Sequence, residues 1–163
     1  MDNQDELFVV VDKSDKIIGY RTRYDCHHNK QLIHRTIGVV IFNDKEEILL
    51  QKRSKNKDTN PSLYTLAVAG HVDKGETYKQ TAQRELLEEL GISSPLFKKK
   101  KFIVKTDIET EMNCIFTATY NGPFSPNKQE TDGVKFVTIN QLKNMQSKLT
   151  SFAITNLKEI GIL

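Results

Sequence analysis

Three glutamates, Glu85, Glu88 and Glu89, stand at spacing i, i+3, i+4 in a segment with strong helix signals. Thr77 reads as an N-cap, with Gln80 completing a capping-box pattern, and Gly91 stands where a left-handed C-terminal cap wants glycine. A helix over Tyr78–Leu90 therefore gathers the three carboxylates on one face, beside a buried stripe of Ala82, Leu86 and Leu90. Such acids repel one another, and Lys79 and Arg84 are the only cations the helix offers them. A solvated acidic face is one reading. The other is a hard divalent cation, magnesium or manganese, held by oxygen ligands.

The elements that must position this helix are mostly strands. Leu7–Val11 and Lys16–Arg21 predict a hairpin about the turn DKSD. Arg23–Lys30 reads as a loop or short helix, His34–Asn43 as a strongly apolar strand and Ile48–Arg53 as its partner. The polar loop Ser54–Ser62 and the apolar run Leu63–Val72 lead into the helix. Beyond Gly91 come a lysine run (Lys98–Lys101), strands over Asn113–Tyr120 and Val134–Ile139, and the intervening loop Asn121–Asp132. Asn140 is the expected cap of a helix, and Ser151–Ile160 the expected terminal helix. This order predicts an α+β layered fold.

Composition narrows the class. At 163 residues the chain suits one domain, 1–163, and a net charge of +3 neither demands nor opposes nucleic acid. Two cysteines, Cys26 and Cys114, make neither a disulfide framework nor a zinc site, so a reducing, cytoplasmic setting is expected. No apolar run is long enough to span a membrane, and the acidic start does not read as a signal peptide.

The segment Gly70–Ile92 fits G-x5-E-x7-R-E-U-x-E-E-x-G-U, where U is bulky and aliphatic, with Gly70, Glu76, Arg84, Glu85, Leu86, Glu88, Glu89, Gly91 and Ile92 at the fixed positions. It resembles the Nudix box of the Nudix hydrolase superfamily. That resemblance implies an α/β/α sandwich with a mixed β-sheet, preceded here by an N-terminal hairpin extension over residues 1–33. It implies cleavage of a diphosphate linkage with Mg2+ or Mn2+ as cofactor. Gly70, Glu85, Glu88 and Glu89 would hold metal, Arg84 would orient the carboxylates, and Glu76 would stand behind them. Glu130, on the loop before the penultimate strand, matches a further glutamate of many such enzymes, so the general base stays open between Glu85, Glu89 and Glu130. Arg53 and Lys57, with Lys52 nearby, are placed to bind the substrate diphosphate.

A diffuse resemblance from about residue 7 onward is to the type I isopentenyl-diphosphate isomerase branch. It rests on the opening hairpin, on HxxxxxxHR, on ILLQKRS and on AGHV. Isomerases hold a metal on three histidines and glutamates. His27, His34 and His71 match the histidines, and Glu130 matches one glutamate. Lys128 stands where a second is expected, and Ala69 where the isomerase has a cysteine. Glu109 and Glu111 read as weaker candidates. Ala69 and the complete box favour a pyrophosphohydrolase of a nucleoside diphosphate derivative or related compound. Isopentenyl-diphosphate isomerase and RNA 5'-end pyrophosphohydrolase are the alternatives. The expected partner is a small-molecule diphosphate, with no membrane, nucleic acid not favoured, and a homodimer possible through the hairpin. Whether the histidines form a second metal site or a packing framework is left open by the residues alone.

Overall fold

In the computed structural model, which describes residues 3–57 and 59–163, the chain runs β1 (Leu7–Val11), β2 (Ile17–Thr22), α1 (Arg23–His28), β3 (Ile33–Phe42), β4 (Ile48–Arg53), β5 (Tyr64–Thr65), β6 (Val68–His71), α2 (Tyr78–Leu90), β7 (Phe97–Lys105), β8 (Thr110–Thr119), β9 (Thr131–Val137), α3 (Ile139–Asn144) and α4 (Ser151–Glu159). Of the Ser54–Ser62 loop, Asp58 lies outside the described residues, as do Met1 and Asp2.

The strand β3 is the spine. Its near-continuous apolar run suits a strand covered on both faces. Ile37, Val39 and Ile41 enter one core, shared with Ala82, Leu86 and Leu90 of α2, while Val40 enters another, shared with Leu142 of α3 and Ala153 and Leu157 of α4. Helices thus cover both sides of the sheet, and each fully buried leucine stabilises the fold by roughly 1.5–3 kcal/mol. Along its whole length β3 pairs parallel with β8, from Ile33↔Thr110 to Phe42↔Thr119. It pairs antiparallel with β6, Thr36↔His71 to Val39↔Val68, and with the end of β1. The result is a mixed nine-stranded sheet in an α+β fold.

The box helix forms as its sequence predicts. The Thr77 hydroxyl accepts from the Gln80 N–H at 3.2 Å, and the Gln80 side chain accepts from the Thr77 N–H at 2.9 Å. Gly91 takes φ 66°, where a side chain would be strained. Several boundaries differ from expectation, among them β9, which runs Thr131–Val137 rather than Val134–Ile139 because its pairing with β4 continues to Thr131. The α3 cap is Thr138, not Asn140, because Thr138 has its own reciprocal partner in Gln141 (2.9 and 3.2 Å). The strand β8 begins at Thr110, three residues before Asn113, because its pairing with β3 continues to Ile33 and draws polar residues into the sheet. Lys98–Lys101 lie exposed on β7, an edge strand that charge guards against further pairing.

Asp15, at the tip of the β1–β2 hairpin, fastens that hairpin to the body. Its carboxylate accepts from the Tyr78 hydroxyl at 2.7 Å and from Arg35 Nε at 2.8 Å, and it pairs with Lys101. Burial opposes its charge, but these donors outweigh burial and lower its pKa. One carboxylate therefore joins the hairpin to α2, β3 and β7.

Candidate active site

A cleft of about 710 Å3 opens beside β3 and β6, with the box helix along one wall. Its two ends differ in chemistry.

At one end four elements converge. His27 comes from α1, His34 from β3, His71 from β6, and Glu109 from the turn between β7 and β8. One ligand atom of each lies within 4.8 Å of the others. Strand register explains the meeting. Thr36↔His71 and His34↔Glu111 place the ends of β6 and β8 beside the start of β3. Glu109 Oε2 stands 3.0 Å from His27 Nε2 and 3.3 Å from His34 Nε2, and the Nε2 atoms of His27 and His71 are 3.4 Å apart. Yet among the described residues His34 Nδ1 and Nε2, Glu109 Oε2 and Glu111 Oε2 are buried without a hydrogen bond. Buried polar atoms left so are costly, and a cation at their common focus would satisfy them. Imidazole with carboxylate suits manganese or zinc.

Electrostatics agree with a ligand set. Burial, countered by Glu109, lowers the pKa of His34, and burial together with His34 lowers that of His71 well below the ordinary value. Both are thus neutral, the form that binds a metal. Burial works to raise Glu109, but the facing imidazoles of His27 and His34 outweigh it and hold the carboxyl as an anion. Glu111 is the reverse case: burial, reinforced by Glu109, raises it well above the ordinary carboxylate value, which favours its protonated form.

At the other end lie the box residues. Arg84 donates to Glu76 twice (2.8 and 3.0 Å), to Glu85 at 2.9 Å and to Glu88 at 3.2 Å. It therefore organises the carboxylates through charge-assisted pairs. At Gly70 the backbone and the Glu85 side chain approach closely, and a Cβ there would meet Glu85 Oε1 at 2.5 Å and displace that carboxylate. Burial, opposed by Arg84 and aided by Glu88, pushes Glu85 up to about 7. Burial and Glu85 raise Glu89 well above its ordinary value. Among the described residues, the converging group of metal-ligating side chains is the histidine one, and the box acids are gathered on Arg84.

Gly70, Arg84, Glu85, Glu88, Glu89, Arg53, Lys57 and Glu130 all line the same cleft. Arg53 is engaged with Thr59 at 3.0 and 3.2 Å, and Lys57 pairs with Glu130. Glu130 is therefore not the carboxylate of the histidine cluster; Glu109 is. Lys128 is exposed and stands in no ligand's place. Glu111 is not a solvent-facing strand end, because β8 extends further than its apolar residues advertise, and Glu109, in the turn just before it, faces His27 and His34. The signal that could have found them is the alternation in ETEM, two acids on one face of a strand.

A NUDIX domain matches residues 32–156. The chain is a member of the NUDIX family. An isopentenyl-diphosphate Delta-isomerase I of Camptotheca acuminata is 32% identical over 165 residues, covering 86% of this NUDIX chain and 70% of that protein. An isopentenyl-diphosphate Delta-isomerase 2 of Photorhabdus laumondii is 33% identical over 144 residues, covering 85% and 81%. The crystal structure of DR0079 from Deinococcus radiodurans superposes with a TM-score of 0.83 at 19% identity, covering 96% of this chain and 99% of that one, which shows the shared fold.

These relatives overturn the expectation of a pyrophosphohydrolase. That expectation rested on the intact box and on Ala69. The similarity to isomerases runs over most of the chain, and the histidine end of the cleft, which the box does not explain, is fully assembled. This NUDIX chain is an enzyme by kinship, and among the described residues no helix is long and apolar enough to cross a membrane.

Proposed function

We propose that this protein is a divalent-metal-dependent isomerase of isopentenyl diphosphate, moving its terminal double bond to the allylic position. The observation that carries the reading is the convergence of His27, His34, His71 and Glu109, with the buried Glu111 paired in register with His34, at one end of the cleft. The kinship to isomerases supports it.

His27, His34, His71 and Glu109 would hold one cation, manganese or zinc by their chemistry. Glu85, Glu88 and Glu89, with the Gly70 carbonyl, would hold magnesium or manganese against the diphosphate. Bound there, the cations supply positive charge that neutralises the diphosphate and polarises the site. Arg53 and Lys57 add cationic donors along the cleft. Glu111 donates its proton to the terminal alkene carbon, whose double-bond electrons form the new C–H bond and leave positive charge on the tertiary carbon. Loss of a proton from the adjacent methylene then sets the new double bond. Ala69 has no exchangeable proton, so we assign that second transfer to the Glu111 carboxylate as well. The protonation state of the enzyme is restored, and nothing is consumed.

The test is conversion of isopentenyl to dimethylallyl diphosphate in D2O by the metal-loaded protein, with deuterium incorporation read by mass spectrometry. Wild type is expected to turn over, and A69C, which restores a second proton-bearing group, to turn over faster. No product from either protein would sink the proposal.

A further inference from the structure

The histidine cluster poses a mechanical question. A metal-bound imidazole is ordinarily held in plane by a hydrogen bond from its second nitrogen. Among the described residues His34 Nδ1 has no such bond, although the ring is wholly buried. The torsion that turns a histidine ring is broad, so the side chain's own preference does not set its plane. Something else must orient it.

Phe8 is in position to do so. It lies on β1, fully buried, and its ring stacks on His71 at 4.1 Å between centroids with only 4° between planes. The same ring stacks on His34 at 5.4 Å and 25°, and meets His27 at 5.9 Å and 52°. A single aromatic side chain thus touches all three imidazoles, at separations typical of favourable ring pairs. Its own place is set from both directions. The Arg23 guanidinium covers it at 5.8 Å from the centroid. The backbone of β1 is tied to the segment just after His71, through Val9 N–H to the Val72 carbonyl at 3.2 Å and Lys74 N–H to the Leu7 carbonyl at 3.3 Å. Moving Phe8 therefore means moving the hairpin, which Asp15 holds against α2, β3 and β7.

We propose that Phe8 is a positioning residue, a flat wall that fixes the ring planes of His71 and His34 so that their nitrogens and Glu109 face one divalent cation. The inference rests on reading the histidine cluster as a metal centre. It assigns to the N-terminal hairpin a task in the active site rather than in sheet extension alone.

Cobalt(II) is the probe, since its visible d–d bands report ligand geometry as well as affinity. Wild type, F8L, F8M, F8Y and H34A would be titrated in the full chain, with circular dichroism and thermal unfolding of each metal-free protein alongside. F8L keeps the apolar volume but loses the plane, and it is expected to bind cobalt about tenfold more weakly, as outer-sphere losses at metal sites do, with an altered band shape. F8Y keeps the ring and is expected to restore the wild-type spectrum. F8M replaces F8L if F8L does not fold. Wild-type affinity and spectrum in F8L or F8M would overturn the role of Phe8, as would failure of both to fold, which would make Phe8 a packing residue only. If H34A itself binds cobalt as wild type does, it is the metal-centre reading that fails; if H34A loses binding and F8L does not, the Phe8 inference fails alone.

Discussion

The two ends of the cleft solve the same problem, holding charge in a confined place, in opposite ways. The carboxylate end is local. Glu85, Glu88 and Glu89 come from one helix, and Arg84 of the same helix already neutralises part of their charge. The imidazole end is assembled from four separate elements, and His34 Nδ1 and Nε2 and Glu109 Oε2 are buried there without a hydrogen bond among the described residues. The first has part of its counter-charge built in, since Arg84 pairs with Glu85 and Glu88. The second is a set of ligand atoms whose desolvation is only partly offset, by the contacts of Glu109 with His27 and His34. The difference teaches that acids on one helix can be organised by an arginine of that helix, whereas ligand atoms gathered from four elements depend on the fold.

The contrast is broken most sharply at His34. H34A should weaken divalent-cation binding more than about a hundredfold, beyond the loss seen for outer-sphere partners, and abolish isomerisation. Isothermal titration with manganese reads this directly, and unchanged affinity would show the imidazole end to be packing. E111Q comes next. Losing a positioned proton donor should lower kcat by about 10²–10⁴-fold while leaving KM near wild type, a split that a general structural defect would not produce.

A smaller effect sets the carboxylate end apart by its pH dependence. Glu85 has a folded-state pKa of about 7 against an ordinary 4.5, so between these values the folded state binds more protons than the unfolded one. Its contribution to stability is therefore present below about pH 4.5 and is lost as pH rises toward 7. E85Q should remove this component, which denaturant unfolding of metal-free protein at pH 5 and pH 8 would detect. The imidazole end has the opposite sign. His34 and His71 are depressed, so their contribution is present above the ordinary histidine value of 6.5 and is lost as pH falls below it. Smallest is T77A, expected to cost about 1 kcal/mol through loss of the cap on the box helix, measured as a shift in urea midpoint with cobalt spectra unchanged.

How much of this was legible from residues alone follows the same division. The box helix, its caps and its acid face were readable because each depends on neighbours within four residues. The hairpin, β3 and β4 were readable from apolar runs and turn signals. Glu109 and Glu111 were not. Glu111 sits where β8 continues beyond its apolar stretch, and only the register with β3 says that it is buried; Glu109 is in the turn before it, and only the fold brings that turn to His27 and His34. Glu130 was a plausible substitute by sequence position, but the fold delivers it to Lys57. The cap of α3 was legible but misplaced: Thr138 and Gln141 repeat the capping-box pattern of Thr77 and Gln80, and that pattern outranks Asn140.

By itself, then, the sequence determined the elements whose physics is local: the capped acid helix, the strands with unbroken apolar patterns, and an alanine at position 69 with no proton to give. Tertiary structure alone decided that His27, His34, His71 and Glu109 meet, that Glu111 is buried beside them, and that Phe8 lies flat against the rings. Those contacts join residues far apart in the chain, His27 with Glu109 and Phe8 with His71 among them, and their cause is strand pairing, whose register no single segment encodes.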